Sequence, residues 1–333
     1  MNKVILFFCP IILISCYKLS YEDPIKTKEQ ILQSESSIES YVTKLMKNQN
    51  IEKASIAIVC NDEVIYLKAF NATEDEQFQA ASISKPVVSY AALQLVELGK
   101  LELDKPLSRY LRSKYFEDGS KGNEITLRMI LNHTSGMSNN TNGTDRKVYA
   151  DLGKQFHYSG AGFEYLKIVI EEITNMPFDQ YMEKYVLSPL GMDNSKFSII
   201  NKTGKKYVFA AGGLVTSPKE LSKFFIEIMN PKKISEDMIK LMLSDSIKLN
   251  AQNAWGLGIG LQHGNNEDVI WHSGNNGNIW LSLAYFSLKE KTGIIIMTKG
   301  KSSYNIFQDI AHYAIGGTYY GLQRNINGTA VKE

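Results

Sequence analysis

The sequence predicts an α+β fold in which one antiparallel sheet, flanked by helices, is interrupted by a mostly helical insertion. Two observations predict this class. Strand patterns occur near both ends of the chain, and residues 100–204 carry helical patterns and loops. The composition agrees, because 333 residues with 44% hydrophobic and 22% charged side chains are ordinary for a globular protein. We expect residues 27–99 and 205–320 to form the α/β part of a domain covering 27–320, followed by a tail at 321–333.

The N-terminus reads as a targeting segment. Lys3 precedes an apolar run over 4–14 that is short for a permanent membrane span. The run ends in Leu13-Ile14-Ser15-Cys16, which resembles the bacterial lipobox, where the cysteine is lipidated and becomes the mature N-terminus. We therefore expect a lipoprotein signal at 1–16, a tether at 17–26 and a lipid-anchored protein of the bacterial cell envelope. A plain signal peptide and an uncleaved anchor are the alternatives.

Regular elements of the first third follow from hydrophobic spacing. Apolar residues recur at helical intervals over 27–49, and alternating patterns joined by the turn Asn61-Asp62 predict two strands, at 54–60 and 63–70. A helical run at 87–98 ends before Gly99, a residue typical of helix C-termini.

The rest of the chain begins with helices and continues with strands. Helical patterns occupy 125–131, 162–174, 178–186 and 235–243, and Ser217-Pro218 is typical of another helix start. The remaining patterns predict strands at 255–263, 269–272, 279–287 and 293–298 and a last helix at 305–315.

A serine and a lysine provide the first chemical signal. Ser82 and Lys85 are three positions apart, which places their Cβ atoms about 5–6 Å from each other on one helical face. Ser82 would lie at a helix N-terminus, where free N–H groups favour a developing anion. A serine hydroxyl needs a base, and a lysine serves when burial lowers its pKa. The alternative is an N-cap serine beside a solvated lysine.

Further motifs accompany this pair in a family order. The chain resembles the serine hydrolases related to class C β-lactamases, which include esterases with a β-lactamase fold, D,D-peptidases and D-aminopeptidases, over about residues 40–315. The resemblance rests on six motifs: Ala81-Ser82-Ile83-Ser84-Lys85-Pro86, Leu131-Asn132-His133-Thr134-Ser135-Gly136-Met137, Phe156-His157-Tyr158-Ser159-Gly160, Pro189-Leu190-Gly191-Met192, Ala211-Gly212-Gly213-Leu214 and His272-Ser273-Gly274.

The resemblance implies a β-lactamase/transpeptidase-like fold and a role for each matching residue. Tyr158 would relay a proton between Ser82, Lys85 and the leaving group, whereas His133 belongs to a motif that looks architectural. Gly160 departs from the family pattern, which has an asparagine there to hold the lysine and bind an acyl amide. Its absence counts against amide and β-lactam substrates more than against esters.

Two segments compete for the third family motif. Lys291-Thr292-Gly293 spells the Lys-Thr-Gly box of β-lactamases, but it lies in a charged turn that we expect at the rim of the sheet. His272-Ser273-Gly274 ends a strand pattern, as the family box does, and we assign the substrate pocket to these residues. The resemblance then implies an oxyanion hole made by the backbone N–H groups of Ser82 and Asn275.

Bulk properties exclude several other functions. A net charge of +2 gives no reason to expect a nucleic-acid partner. The three cysteines are Cys9, Cys16 and Cys60, so after lipidation Cys60 is alone, and we expect a buried thiol rather than a disulfide or a metal ligand. No metal-binding spacing is present, and we expect neither a metal nor another cofactor.

The leading hypothesis is therefore an envelope-tethered serine hydrolase that acts through an acyl-enzyme. Its substrate would be a carboxylic ester or a small peptide-like amide, including one derived from the cell wall. A penicillin-recognising D,D-carboxypeptidase or β-lactamase is the alternative among enzymes. A catalytically silent lipoprotein that uses the pocket for binding is the alternative of another class.

Overall fold

The computed structural model describes most of the chain between the two termini. The described residues are 24–141, 145–200, 203–244, 246–264, 268–301 and 305–319. The expected signal with Cys16, the first part of the tether and the tail at 321–333 lie outside the described residues. At the end of the tether, Ile25 bridges to Gly316, and the N–H of Lys26 donates to the Ile315 carbonyl at 2.9 Å. These last tether residues thus lie against the end of the C-terminal helix.

The described residues form nine α-helices and twelve strands. The helices are α1 (Lys28–Gln33), α2 (Glu35–Gln49), α3 (Ser84–Glu97), α4 (Leu127–Leu131), α5 (Gly160–Thr174), α6 (Phe178–Met182), α7 (Pro218–Met229), α8 (Glu236–Ser244) and α9 (Asn305–Ile315). The strands are β1 (Ile51–Cys60), β2 (Glu63–Phe70), β3 (Phe78–Gln79), β4 (Ile199–Ile200), β5 (Lys206–Tyr207), β6 (Val215–Thr216), β7 (Ile247–Lys248), β8 (Asn253–Trp255), β9 (Gly260–His263), β10 (Asp268–Asn276), β11 (Trp280–Ser287) and β12 (Thr292–Gly300).

One eight-stranded sheet confirms the predicted fold class. Its strand order is β2-β1-β12-β11-β10-β9-β8-β7, and every neighbouring pair is antiparallel. The N-terminal strand β1 therefore pairs directly with the C-terminal strand β12. Helices α4, α5 and α6 all fall within the segment between the two groups of strands.

The two faces of the sheet build two separate cores. Along β12, Ile294 and Ile296 pack with α2 and α9, whereas Ile295 and Met297 face the core formed with α3, α5 and α7. This alternation follows from the two-residue period of a strand, and burial on both faces explains why β12 is apolar almost throughout. The candidate site lies on the α3 side.

Three predicted elements differ from the observed ones. The single helix expected over 27–49 is two helices, because Ser34 leaves the helical conformation and its Oγ donates to the Gln30 carbonyl at 2.7 Å. The strand expected over 255–263 is interrupted between β8 and β9, where Gly258 has a φ of +90°. The helix expected over 178–186 ends at Met182 and continues as a wider π-helical turn. Within the described ranges, we find no helix with the length and apolar character needed to cross a membrane.

We expect Gly258→Ala to destabilise the fold strongly. Gly258 has a positive φ, and a Cβ at this position would lie 1.8 Å from Ser89 Oγ on α3. The left-handed backbone and the overpacking together should lower the free energy of unfolding by about 2–4 kcal/mol, measured by urea denaturation. Gly99→Ala is the matched control, because its φ is +66° but nothing lies within 4 Å of the added Cβ. Equal losses in the two variants would contradict the packing argument.

Candidate active site

Ser82 lies in a braced turn. The turn is a single 3-10 segment, Ala81–Ile83, directly before α3. Ala81 has a φ of +49°, a conformation that costs a residue with a side chain about 1–2 kcal/mol. Ser84 Oγ donates to the Ala81 carbonyl at 2.6 Å and accepts from the N–H of Leu214 at 2.9 Å. The surrounding hydrogen bonds thus hold a strained backbone and fix the position of Ser82.

Lys85 is buried beside Ser82. Only 2% of the residue is exposed, and Nζ donates to Ser82 Oγ at 3.3 Å and to the Ala211 carbonyl at 2.7 Å. Burial lowers the pKa of Lys85 from 10.5 to about 7, and the negative charge of Glu164 offsets part of this effect. A lysine with this pKa is partly neutral at physiological pH and can therefore accept the serine proton.

Tyr158 completes a cluster with these two residues. Lys85 Nζ lies 4.8 Å from the centroid of its ring, and the Ser82 side chain is near enough to the phenol to lower its pKa. Burial raises the pKa of Tyr158 above its ordinary value of 10, so the hydroxyl stays protonated at neutral pH. The structure thus brings together the three residues for which the sequence predicts catalysis, and Lys85 rather than Tyr158 is poised as the base.

His133 holds the backbone on both sides of Tyr158. Its carbonyl accepts from the N–H of His157 at 2.7 Å, and its Nδ1 accepts from the N–H of Ser159 at 3.1 Å. Its ring lies 4.2 Å from the Tyr158 ring, measured between centroids. Complete burial lowers the pKa of His133 well below 6.5, so it remains neutral. These contacts agree with the architectural role expected of its motif.

Gly274 allows β10 to contact the serine turn. A Cβ at Gly274 would lie 2.3 Å from the Ala80 carbonyl oxygen and 2.4 Å from Ser282 Oγ, which itself donates to that oxygen at 2.7 Å. A side chain here would therefore push the strand away from the turn. The close approach explains why the motif ends in glycine.

Asn275 follows Gly274 at the point where β10 meets the turn. Its side chain is engaged locally, since Nδ2 donates to Asn278 Oδ1 at 2.6 Å and Oδ1 accepts from the N–H of Asn278 at 2.8 Å. What Asn275 can offer a substrate is therefore its backbone. The oxyanion role of its N–H and that of Ser82 stays a prediction.

His272 is a neutral hydrogen-bond acceptor. Its Nδ1 lies 2.7 Å from the Ser273 carbonyl oxygen, and because a carbonyl only accepts, Nδ1 carries the proton. Nε2 then bears a lone pair, is buried and has no hydrogen-bond partner. Burial, followed by the nearby Lys85 charge, lowers the pKa of His272 to about 3. The residue cannot supply the cation that a lysine would supply at this position.

The neighbourhood of Gly160 is filled by a loop. Gly160 is the first residue of α5, and a Cβ on it would lie 2.5 Å from Thr141 Cγ2 and 3.1 Å from the backbone and side-chain oxygens of Asn139. An asparagine at 160 would therefore require the loop to move. The departure from the family pattern is matched by a change in the surrounding structure.

The literal Lys-Thr-Gly box lies away from this cluster, as expected. Lys291 has a φ of +45° in the turn between β11 and β12. Thr292 pairs with Ser287, whereas Gly274 pairs with Ser282 at the other end of β11. These two positions of β11 are roughly 17 Å apart along the strand.

A cleft of about 940 Å³ adjoins the cluster. Gln79, three residues before Ser82, lies in its wall together with Asn276 and Gly277, which follow Asn275. Asn276 Nδ2 donates to Gln79 Oε1 at 3.0 Å and so connects β10 to the chain that leads into the serine turn. The wall also includes apolar and aromatic side chains: Tyr115, Ile168, Ile199, Tyr207 and Phe209. The cleft has the size of a small-molecule site.

Two contributors to the site were not identified from the sequence. The Ala211 carbonyl, which accepts from Lys85, belongs to the motif Ala211-Gly212-Gly213-Leu214, for which the sequence predicts no catalytic role. Glu164, 3% exposed on α5, accepts from the N–H of Ala211 at 2.9 Å. A glutamate within a helical pattern gives no sign of such a contact.

Within the parts of the chain that the structure describes, no group of three or more potential metal-ligating side chains is found.

Sequence relatives are distant but match over most of the chain. Protein flp of Staphylococcus aureus (strain MW2) is 22% identical over 324 aligned residues, which cover 81% of this chain and 64% of that protein. The chain thus spans less than two thirds of the length of this relative.

Solved structures share the fold. A penicillin-binding protein homologue from Pyrococcus abyssi superposes with a TM-score of 0.70 at 21% identity, over 84% of this chain and 76% of the other. D-alanine carboxypeptidase AmpC from Burkholderia cenocepacia superposes with a TM-score of 0.71 at 16% identity, over 86% and 99%. The family described as Beta-lactamase matches residues 38–315. Because this match covers most of the sequence and the fold agrees, the chain belongs to the beta-lactamase family of serine hydrolases.

Proposed function

We propose that the protein hydrolyses a carboxylic ester or a small peptide-like amide through an acyl-enzyme on Ser82. The observation that carries this proposal is the cluster in which buried Lys85 lies beside the half-buried side chains of Ser82 and Tyr158. The Lys85 amine, 3.3 Å from the Ser82 hydroxyl, can accept its proton, and the protonated phenol of Tyr158 beside the same amine can relay one.

In this mechanism neutral Lys85 takes the Ser82 proton while Oγ forms a bond to the substrate carbonyl carbon. The carbonyl oxygen becomes an anion and accepts from the N–H groups of Ser82 and Asn275. Tyr158 passes a proton to the leaving group as its bond to the carbonyl carbon breaks, and it takes a proton in turn from protonated Lys85. A water molecule then attacks the acyl-enzyme, releasing the acid and returning the proton to Ser82.

Two features of the site bear on the type of substrate. His272 is neutral and presents a lone pair where a lysine would receive a substrate carboxylate. The loop carrying Asn139 and Thr141 fills the space of the amide side chain expected at 160. The first feature counts against a substrate carboxylate and the second against amides and β-lactams, so together they favour an ester.

A penicillin-recognising D,D-carboxypeptidase or β-lactamase is the second candidate. The structural similarity to a protein named D-alanine carboxypeptidase favours it, since the folds superpose over 86% of this chain. This similarity concerns the fold, and the side chains around His272 and Gly160 count against it.

The protein is further proposed to be tethered to the bacterial cell envelope. The segment Leu13-Ile14-Ser15-Cys16 supports lipidation of Cys16, and the following residues provide a polar spacer. A tethered enzyme would meet small envelope-derived esters or peptides near the membrane.

Ser82→Ala should reduce hydrolysis of a short p-nitrophenyl ester by at least about 10³-fold, because the nucleophile of the acyl-enzyme is lost. The measurement is the initial rate of p-nitrophenol release. Ser113→Ala is the control, since Ser113 is an exposed serine away from the cluster. Unchanged turnover in Ser82→Ala would sink the mechanism.

Labelling of the wild-type protein distinguishes the proposed hydrolase from the alternative functions. We expect a fluorophosphonate probe to label the wild type at Ser82, and a fluorescent penicillin to label it slowly with no turnover of nitrocefin. Rapid penicillin labelling would favour the second candidate. Absence of any fluorophosphonate label would favour a catalytically silent binding protein.

The ester rate should rise as the pH increases through about 7. Below that value Lys85, whose pKa burial lowers to about 7, is protonated and cannot accept the serine proton. His272 stays neutral above about pH 3 and should contribute no limb in this range. The measurement is kcat/KM against pH for two esters with different leaving groups. A rate independent of pH between 5 and 9 for both esters would contradict Lys85 as the base.

Cys16→Ser should abolish incorporation of radiolabelled palmitate in a bacterial host and release the protein from the membrane fraction. The physical reason is that the Cys16 thiolate is the nucleophile that takes the lipid, and a serine hydroxyl is a much weaker nucleophile. Cys9→Ser is the control, because Cys9 lies within the apolar run and should leave labelling intact. Persistent palmitate label in Cys16→Ser would remove the tether proposal.

A further inference from the structure

Glu164 is a buried carboxylate whose partners point toward the catalytic lysine. The residue is 3% exposed, and a carboxylate in such a position is costly unless it is paired and hydrogen-bonded. Oε1 accepts from the N–H of Ala211 at 2.9 Å, and Oε2 lies 3.0 Å from Lys167 Nζ. The charge is thus paired on one side and bonded to a backbone segment on the other.

That backbone segment is the one that holds Lys85. The carbonyl of Ala211 accepts from Lys85 Nζ at 2.7 Å, so one residue receives both contacts. Lys167 adds a second connection, because its Nζ donates to the Val208 carbonyl at 3.1 Å. Helix α5 therefore grips the segment over 208–211 at two points, through the two members of one ion pair.

Glu164 differs from the histidines and the tyrosine around Lys85, because those groups are neutral. His272 on β10 and His133 after α4 both face Lys85 and are neutral, and Tyr158 remains protonated. Glu164 on α5 raises the pKa of Lys85 and so opposes the effect of burial. Glu164 itself faces Lys167 on its own helix and the Tyr115 side chain.

We propose that Glu164 is a positioning residue of the active site. It holds Ala211, whose carbonyl accepts from Lys85, and it sets the pH at which Lys85 becomes a base. Lys167 tunes this effect by balancing the carboxylate. The inference rests on the proposed function, because it assumes that Lys85 activates Ser82.

The charge and the hydrogen bond can be separated by substitution. Glu164→Gln keeps an oxygen that can accept from Ala211 but removes the negative charge. Its acid limb should therefore move to lower pH by at least about half a unit, with kcat on the plateau reduced less than about threefold. Glu164→Ala also removes the acceptor, and its plateau kcat should fall about tenfold or more with a smaller change in KM.

Lys167→Gln should move the acid limb in the opposite direction. Removing this cation leaves the Glu164 charge less balanced, which favours the protonated form of Lys85. Because the Lys167 side chain is partly exposed, the variant is expected to fold even if changes at Glu164 prove disruptive. Glu172→Gln is the matched control, since Glu172 lies on the same helix and pairs with Arg112 instead, at 3.4 Å.

The readout is the rate of Ser82 labelling by a fluorophosphonate as a function of pH, together with kcat/KM for an ester. Labelling requires only an activated serine, so it does not depend on the natural substrate. A labelled wild type whose limb moves down in Glu164→Gln and up in Lys167→Gln supports the inference. A labelled wild type with unmoved limbs in both variants overturns it alone. A wild type that is never labelled overturns the proposed function and this inference with it.

Discussion

The desolvation of one lysine is the constraint on which the active site depends. Placing an ammonium group in a protein interior costs several kcal/mol, which the protein avoids by holding Lys85 close to neutrality. The remaining polarity of the amine is satisfied by Ser82 and by the Ala211 carbonyl. A largely buried α3, a glycine at 274 and a braced turn at Ala81 all help to close the protein around this group. The burial that disfavours the protonated form of Lys85 is also what would allow the neutral amine to act as a base.

The groups around the reacting serine are neutral, and this has electrostatic consequences. Tyr158, His272 and His133 each remain uncharged near neutral pH because burial penalises their ionised forms. The charges to appear during the reaction would then be the substrate oxyanion and the protonated Lys85. In a site of low polarity, backbone N–H dipoles act on such a charge more strongly than they would in water. A permanent cation would compete with this arrangement by attracting anionic substrates and by lowering the pKa of Lys85 further.

The sequence was informative where a single period or motif determines structure. Short strand patterns identified β2 and much of β12, and six motifs in order located Ser82, Lys85, Tyr158 and Gly274. Periodicity could not foresee the break at Ser34 or the turn at Gly258, because both depend on local backbone geometry rather than on which face is apolar. Periodicity also could not identify Glu164, because it does not distinguish a buried glutamate that has a tertiary partner from a solvated one. The tertiary contact with Ala211, some fifty residues away, is what distinguishes them.

The pairing of β1 with β12 has a consequence for the order in which the protein can assemble. Ala54 aligns with Thr298, so the centre of the sheet joins residues separated by most of the chain. Forming such a contact closes a long loop, and the chain entropy lost in doing so opposes folding until the contact stabilises the protein. Sheets of this kind therefore fold slowly. The serine turn is packed against β10 and β11, which lie beyond β12 in the same sheet. A polypeptide that does not yet include β10 and β11 therefore lacks the surface that holds Ser82, so the serine turn can take its folded position only after these strands have been made.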